Sequence, residues 1–186
     1  MPEASPAEAP RGEVAALVAV QAALGDFPGA LPAARALSHF GEHSIGWVAV
    51  AALGAVLSPK RRRDWLLAGA GAFAAHAAAI VVKRIVRRQR PHDPAVVVNV
   101  GTPSQLSFPS AHATSTTAAA ILMGRITGLS LPAVLVPPMA LSRMLLGVHY
   151  PSDVACGIAL GAVIAAIARR AGQVQEVVRG DHDRGN

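Results

Sequence analysis

Long apolar runs alternate along the chain with short basic or proline-containing breaks. Residues 43 to 57, 65 to 82, 113 to 122 and 154 to 168 contain no Lys, Arg, Asp or Glu, whereas a small soluble core interrupts its apolar stripes with charge. Extending each run to the nearest breaker predicts five membrane-spanning helices, at about 43–57, 65–82, 112–128, 130–147 and 152–168. At about 1.5 Å per residue a 16-residue helix covers roughly 24 Å of a hydrocarbon layer near 30 Å. Local thinning or flanking residues must supply the difference. Pro137 and Pro138 should kink the fourth run. The stretch from Val14 to Leu24 is apolar but too short to span, and reads as a helix at the interface or packed against the bundle, ended by Gly25, Pro28 and Gly29. Residues 1–12, with Pro2, Pro6 and Pro10, read as a disordered lead, and residues 172–186 as a polar tail. The expectation is one all-α integral membrane bundle over residues 13–171.

Composition supports that reading. Of 186 residues 52% are hydrophobic, 15% are charged and 39 are Ala, and a single cysteine, Cys156, rules out a disulfide scaffold. Small residues such as Gly69, Gly71, Gly157 and Gly161 let helix backbones approach closely. A net charge of +6 raises the question of nucleic acid, but the 17 basic residues sit almost wholly at the ends of the apolar runs, as charges flanking a bilayer do. With one Tyr and no interleaving of aromatic and basic residues, nucleic-acid binding is excluded. One side of the bundle carries Lys60 to Arg63, Arg125, Arg169 and Arg170; the other carries Lys83, Arg84, Arg87, Arg88, Arg90 and Arg143. If Lys83, Arg90 and Arg143 are held in a site, the orienting charges weigh toward the first side, which is then cytoplasmic.

Three polar segments interrupt the apolar pattern, and helix counting puts all three on one side of the membrane. The first runs from Lys83 to Arg90 and Pro91; the two cations are seven residues apart, so they share a stripe if the second span stays helical until Pro91 ends it. Alone, it reads as a headgroup anchor. The second is Phe108-Pro109-Ser110-Ala111-His112, in which Ser110 offers a hydroxyl and an unpaired backbone N–H at a helix start. The third runs from Ser142 and Arg143 to His149 and Asp153; Pro151 starts the fifth span and brings Asp153 within reach of His149. A carboxylate bonded to one ring nitrogen makes the other a better nucleophile.

Together, Lys-x6-Arg-Pro, Pro-Ser-x-His and Ser-Arg-x5-His-x3-Asp resemble the motifs of the type 2 phosphatidic acid phosphatase superfamily. The resemblance covers about residues 40 to 170, and its one departure is Ala111, where the family usually has Gly. It implies a helical membrane bundle that hydrolyses lipid-linked phosphates with no cofactor and no metal. By the same resemblance Lys83, Arg90 and Arg143 would clamp the phosphate, and Ser110 would add its hydroxyl and nearby N–H groups. His149 would attack phosphorus, oriented by Asp153, to form a phosphohistidine. His112 would protonate the leaving alkoxide and then activate water, giving a bell-shaped pH profile. Small size and an Ala- and Arg-rich composition look like short actinobacterial members of the family, which implies a polyprenyl substrate such as decaprenylphosphoryl-5-phosphoribose in cell-wall precursor synthesis. Undecaprenyl pyrophosphate and phosphatidic or phosphatidylglycerol phosphate are the alternatives. The partners expected are the lipid substrate and the membrane itself, with a homo-oligomer left open. A non-catalytic binder of anionic lipid would explain the basic helix ends but not the pairing of His149 with Asp153. A vanadate-dependent oxidase is disfavoured, since those relatives resemble larger soluble chains.

Some residues are left outside the site. His76, in the middle of the second span, reads as a core histidine bonded to a neighbouring helix. His39, Glu42 and His43 read as interfacial residues that could border a substrate entrance. Cys156 reads as a packing residue, and His92 and Asp93 as neighbours of the site mouth.

Overall fold

The computed structural model of the protein describes residues 10–182, and their side chains as far as residue 173. Among these, seven α-helices form: α1 (Gly12–Leu24), α2 (Ala30–Gly41), α3 (Ile45–Leu57), α4 (Arg62–Val86), α5 (Ala111–Thr127), α6 (Leu131–Leu145) and α7 (Pro151–His182). The described residues contain no strand, only an isolated antiparallel bridge between Gln89 and Leu106.

The bundle is built around α5, which is buried from Ala111 to Gly124 apart from His112 and Ile121. Its packing shows why the chain is rich in alanine. Ala68, Ala72 and Ala75 of α4, Ala118 and Ala119 of α5 and Ala165 of α7 share one core cluster with Trp47 of α3, and such small side chains allow short interaxial distances. Glycine takes this further where α7 crosses α5. A Cβ on Gly157 would lie 2.7 Å from the carbonyl oxygen of Ser110, and one on Gly161 would overlap the carbonyl of Thr114. Of the hydroxyls buried inside α5, Thr114 Oγ1 donates to the Ser110 carbonyl at 2.8 Å and Thr116 Oγ1 accepts from Trp47 Nε1 of α3 at 3.2 Å, whereas Thr117 Oγ1 has no partner among the described residues.

Large apolar side chains are displaced to the outside. Leu53, Val56, Leu66, Phe73, Val81, Val134, Val163 and Ile167 are all exposed, an extent of apolar surface that water does not tolerate and a bilayer does. Three helical stretches are long and apolar enough to cross a membrane: Ala30–Leu57, Pro59–Val86 and Pro151–Gln173. The chain is a multi-pass membrane protein.

Several boundaries differ from the sequence expectation, each for a physical reason. The apolar pattern marks no element over residues 30–41, yet they form α2 and continue the first span. Between α2 and α3 the chain breaks in a 3₁₀ turn, Glu42–Ser44, with His43 at φ 49° and Ser44 at φ 63°. Two consecutive non-glycine residues in the left-handed region cost about 1–2 kcal/mol each. The second span ends earlier than Pro91, because Arg87 adopts φ 55° and caps α4 with its N–H on the Lys83 carbonyl at 3.0 Å. Pro137 and Pro138 lie inside α6. The polar tail expected at 172–186 continues α7 as helix through His182. Most of the expected lead at 1–12, and residues 183–186, lie outside the described residues. Cys156 is exposed on α7 and is not a packing residue.

Candidate active site

Five of the seven residues singled out in the sequence line one cavity of about 310 Å³: Lys83, Arg90, His112, Arg143 and His149. Ser110 and Asp153 lie behind its wall, both fully buried. The seven arrive from four helices and the segments that join them. Lys83 comes from the last turn of α4, Ser110 caps α5, His112 lies in its first turn and Arg143 in the last turn of α6. His149 sits in the turn between α6 and α7, and Asp153 in the first turn of α7.

Arg90 does not share a helical stripe with Lys83, because α4 has ended by Val86. It returns on extended backbone: the Arg90 N–H donates to the Gln105 carbonyl at 3.0 Å, and the Ser107 N–H donates to the Arg88 carbonyl at 2.8 Å. The loop before α5 thus folds onto both cations. Lys83 Nζ donates to the carbonyls of Leu106 (2.9 Å) and Ser107 (3.0 Å), and Arg90 Nε donates to that of Ser104 (2.8 Å).

His149 is the best-defined group in the cavity. Arg90 Nη1 donates to the Val148 carbonyl at 2.7 Å and stands 3.4 Å from His149 Nε2. Nδ1 faces Asp153 Oδ2 at 3.6 Å, an ion-pair distance longer than a hydrogen bond, and is otherwise without a partner. A proton on Nδ1, toward the carboxylate, leaves the Nε2 lone pair on the cation-lined side. Burial, then the charges of Arg90, Lys83 and Arg143, hold the His149 imidazole well below its ordinary value of 6.5. Burial also lowers Arg90, to about 10, which leaves it cationic at neutral pH.

The helix start at Ser110 is more occupied than expected. Its N–H donates to the Asp153 carbonyl at 2.9 Å, and its hydroxyl accepts from the Ala113 N–H at 3.4 Å. The first-turn N–H groups of Ala111 and His112 remain without intrahelical partners.

Four residues that sequence reasoning missed hold this constellation in place. Ser38 of α2 takes His112 Nε2 on its carbonyl at 2.9 Å and Arg143 Nη1 on its hydroxyl at 3.1 Å. Ala34, one turn earlier, accepts from Arg143 Nη2 at 3.4 Å. Arg88 donates to Asp153 Oδ1 at 3.0 Å and Ser152 Oγ at 2.6 Å, and its guanidinium lies 4.1 Å from the Tyr150 ring centroid. Glu13 of α1 accepts from Arg88 at 2.6 Å and from the Ser152 N–H at 2.9 Å. Nothing in the local sequence of Ser38 or Ala34 marks them. Arg88 and Glu13 carried a signal of another kind, since an acidic residue in an apolar N-terminal helix asks for a cationic partner. His76 departs from the expected core role: its Nδ1 has no partner, and it faces the same cavity. Among the described residues no three His, Cys, Asp or Glu side chains gather in a group that could hold a metal ion.

The profile of the PAP2 superfamily matches residues 64–175. A decaprenylphosphoryl-5-phosphoribose phosphatase of Mycobacterium tuberculosis is 73% identical over 164 residues, covering 88% of this chain and 93% of the relative. The enzyme of that name from Mycolicibacterium smegmatis is 70% identical over 150 residues, covering 81% and 83%. The fold is that of the crystal structures of a transmembrane PAP2-type phosphatidylglycerolphosphate phosphatase from Bacillus subtilis (TM-score 0.66, 20% identity, 85% of both chains) and of LpxE from Aquifex aeolicus (TM-score 0.61, 19% identity, 83% of this chain and 93% of that one). With three motifs converging on one cavity, a family profile spanning α4 to α7 and relatives matched over most of their length, the chain belongs to the PAP2 superfamily.

Proposed function

We propose that the protein is a phosphatase of the cell membrane that removes the 5-phosphate of decaprenylphosphoryl-5-phosphoribose, through a phosphohistidine on His149 Nε2. The observation that carries the reading is the His149 ring, with Nδ1 turned to Asp153 and Nε2 turned into a cavity lined by Lys83, Arg90 and Arg143. The substrate assignment draws on 73% identity to a relative of that name.

In the first step the Nε2 lone pair attacks phosphorus in line. The bond from phosphorus to the ribose oxygen breaks, and that oxygen takes a proton from His112. With Nε2–H committed to the Ser38 carbonyl, His112 enters the step as the imidazolium and gives up its Nδ1 proton, becoming the neutral ring that takes a proton from water in the second step. In the second step water attacks phosphorus, His112 recovers a proton from it, and the P–N bond breaks to release orthophosphate and neutral His149. Lys83, Arg90 and Arg143, with the N–H groups opening α5, carry the charge that builds on the phosphoryl oxygens. This is the work a metal performs in other phosphatases.

The same reading fixes the topology. Five crossings, by α2 with α3, α4, α5, α6 and α7, put α1 and the cavity on one face, in keeping with the contacts of Glu13 to Arg88 and Ser152. Arg61, Arg125 and Arg169 gather at the opposite end, so that end is cytoplasmic and the site extracytoplasmic. The deciding experiment assays purified protein, with chelator present, against polyprenylphosphoryl-5-phosphoribose, polyprenyl pyrophosphate and phosphatidic acid. The first should lead in kcat/KM by at least tenfold. A lead of that size for either of the others overturns the substrate assignment, and loss of all activity to chelator overturns the metal-free mechanism.

A further inference from the structure

The cavity does not end at the phosphate-binding cations. Below Lys83 it is walled by His76 of α4 and by Glu42 and His43 of the turn that breaks the first span. His76 precedes Lys83 by seven residues on a continuous helix, about 10 Å along the axis toward the middle of the membrane. The His43 and His76 ring centroids are 5.8 Å apart, and His39 Nδ1 stands 3.9 Å from Glu42 Oε2. None of these groups reaches phosphorus in the proposed reaction.

Three independent observations show that this wall is more than a stray polar patch. His76 Nδ1 is buried without a hydrogen-bond partner, an unmet demand of the kind that a ligand fills. His43 is delivered by two consecutive left-handed residues, a conformation that non-glycine residues adopt only where the surroundings enforce it. The break is also held tightly against the catalytic wall, since a Cβ on Gly41 would stand 2.7 Å from His112 Cδ2.

We infer that His43, His76 and Glu42 form a hydroxyl-recognition subsite, which reads the sugar lying between the scissile phosphate and the lipid. The chemistry of the wall suits hydroxyls. Two imidazoles present one donor and one acceptor each and a carboxylate accepts from hydroxyls, a set that matches the neighbouring hydroxyls of a sugar ring. The position suits the same part of the substrate: one sugar ring removed from the cluster of cations, on the membrane side from which a lipid tail must enter. The inference rests on the phosphate cluster being the reaction centre, and it assigns specificity to residues outside that cluster. A site built to hydrogen-bond hydroxyls rejects a substrate that lacks them, because its own polar groups are then left unpaired.

The test compares His76→Leu and His43→Asn with the wild type on two substrates, polyprenylphosphoryl-5-phosphoribose and a short-chain phosphatidic acid, which has no sugar. Asn tolerates the left-handed backbone at position 43, so the second variant does not depend on repacking α4. The ratio of kcat/KM between the two substrates should fall at least tenfold in both variants. Inhibition of phosphatidic acid hydrolysis by ribose 5-phosphate should weaken by a similar factor relative to inhibition by inorganic phosphate. Ratios unchanged within twofold in either variant overturn the subsite. If the wild type does not hydrolyse the phosphoribosyl lipid, the substrate assignment fails, and the ratio of the two inhibition constants still decides whether the subsite exists.

Discussion

At the scale of single residues the proposed mechanism requires His149 to be neutral and aimed. His149→Ala should lower phosphate release at least about a thousandfold, roughly 4 kcal/mol of lost transition-state stabilisation, with the thermal midpoint in detergent little changed. A variant that keeps more than about a tenth of the rate would mean that another group attacks phosphorus. The pH profile follows from the same residue. Burial and three cations hold the His149 proton affinity well below 6.5, and only the unprotonated ring has a lone pair to attack with. The kcat/KM of the free enzyme should therefore stay level as pH falls through 6.5 and decline only below it. Arg90→Gln removes one of those cations, so the residual activity should show its acid limb at higher pH. A wild-type limb at or above pH 6.5 would contradict the environment described for His149.

At the scale of elements the site depends on how helices lean on one another. Gly161 of α7 lies against the Thr114 carbonyl of α5, so Gly161→Val must push the two helices apart, at about 1–3 kcal/mol. A lowered unfolding midpoint measured by differential scanning fluorimetry would check this. Helix α1 acts through Arg88, which anchors the carboxylate facing His149. Arg88→Ala should lower kcat roughly tenfold with little change in KM, and Arg88→Lys should restore part of it; an effect on KM alone would assign Arg88 to substrate binding. These dependencies were the least legible part of the sequence. The runs that became α3, α4, α5, α6 and α7 were visible because apolar length and proline or basic breaks are local properties. So were the motif residues, which stand out as charges and histidines on an apolar ground. Helix α2 was not, because Pro32, Arg35 and His39 dilute its hydropathy and the break at Glu42–Ser44 separates it from α3. The early end of α4 was hidden for a different reason. Arg87 turns left-handed so that the chain can double back beside the loop at 104–107, and a pairing across that distance leaves no trace in helical periodicity.

At the scale of the whole molecule, the basic cluster of Arg61, Arg125 and Arg169 lies at one end and the cavity at the other, and the proposed topology puts the first of these in the cytoplasm. Ser104→Cys should react with a membrane-impermeant maleimide applied to intact cells, whereas Arg62→Cys should react only after lysis. The reverse pattern would invert the topology. Exposed Cys156 must first be replaced by Ser to remove its own labelling. The backbone oxygens gathered around the cations have a consequence for turnover itself. Lys83 and Arg90 are already met by the carbonyls of Leu106, Ser107, Ser104 and Val148, so an arriving phosphate exchanges with ligands that are tethered to the chain and cannot diffuse away. Once the ester is cleaved, the same oxygens compete for the cations against the departing orthophosphate. On the proposed mechanism the resting loop would act as a return spring, clearing the product and resetting the clamp before the next lipid arrives.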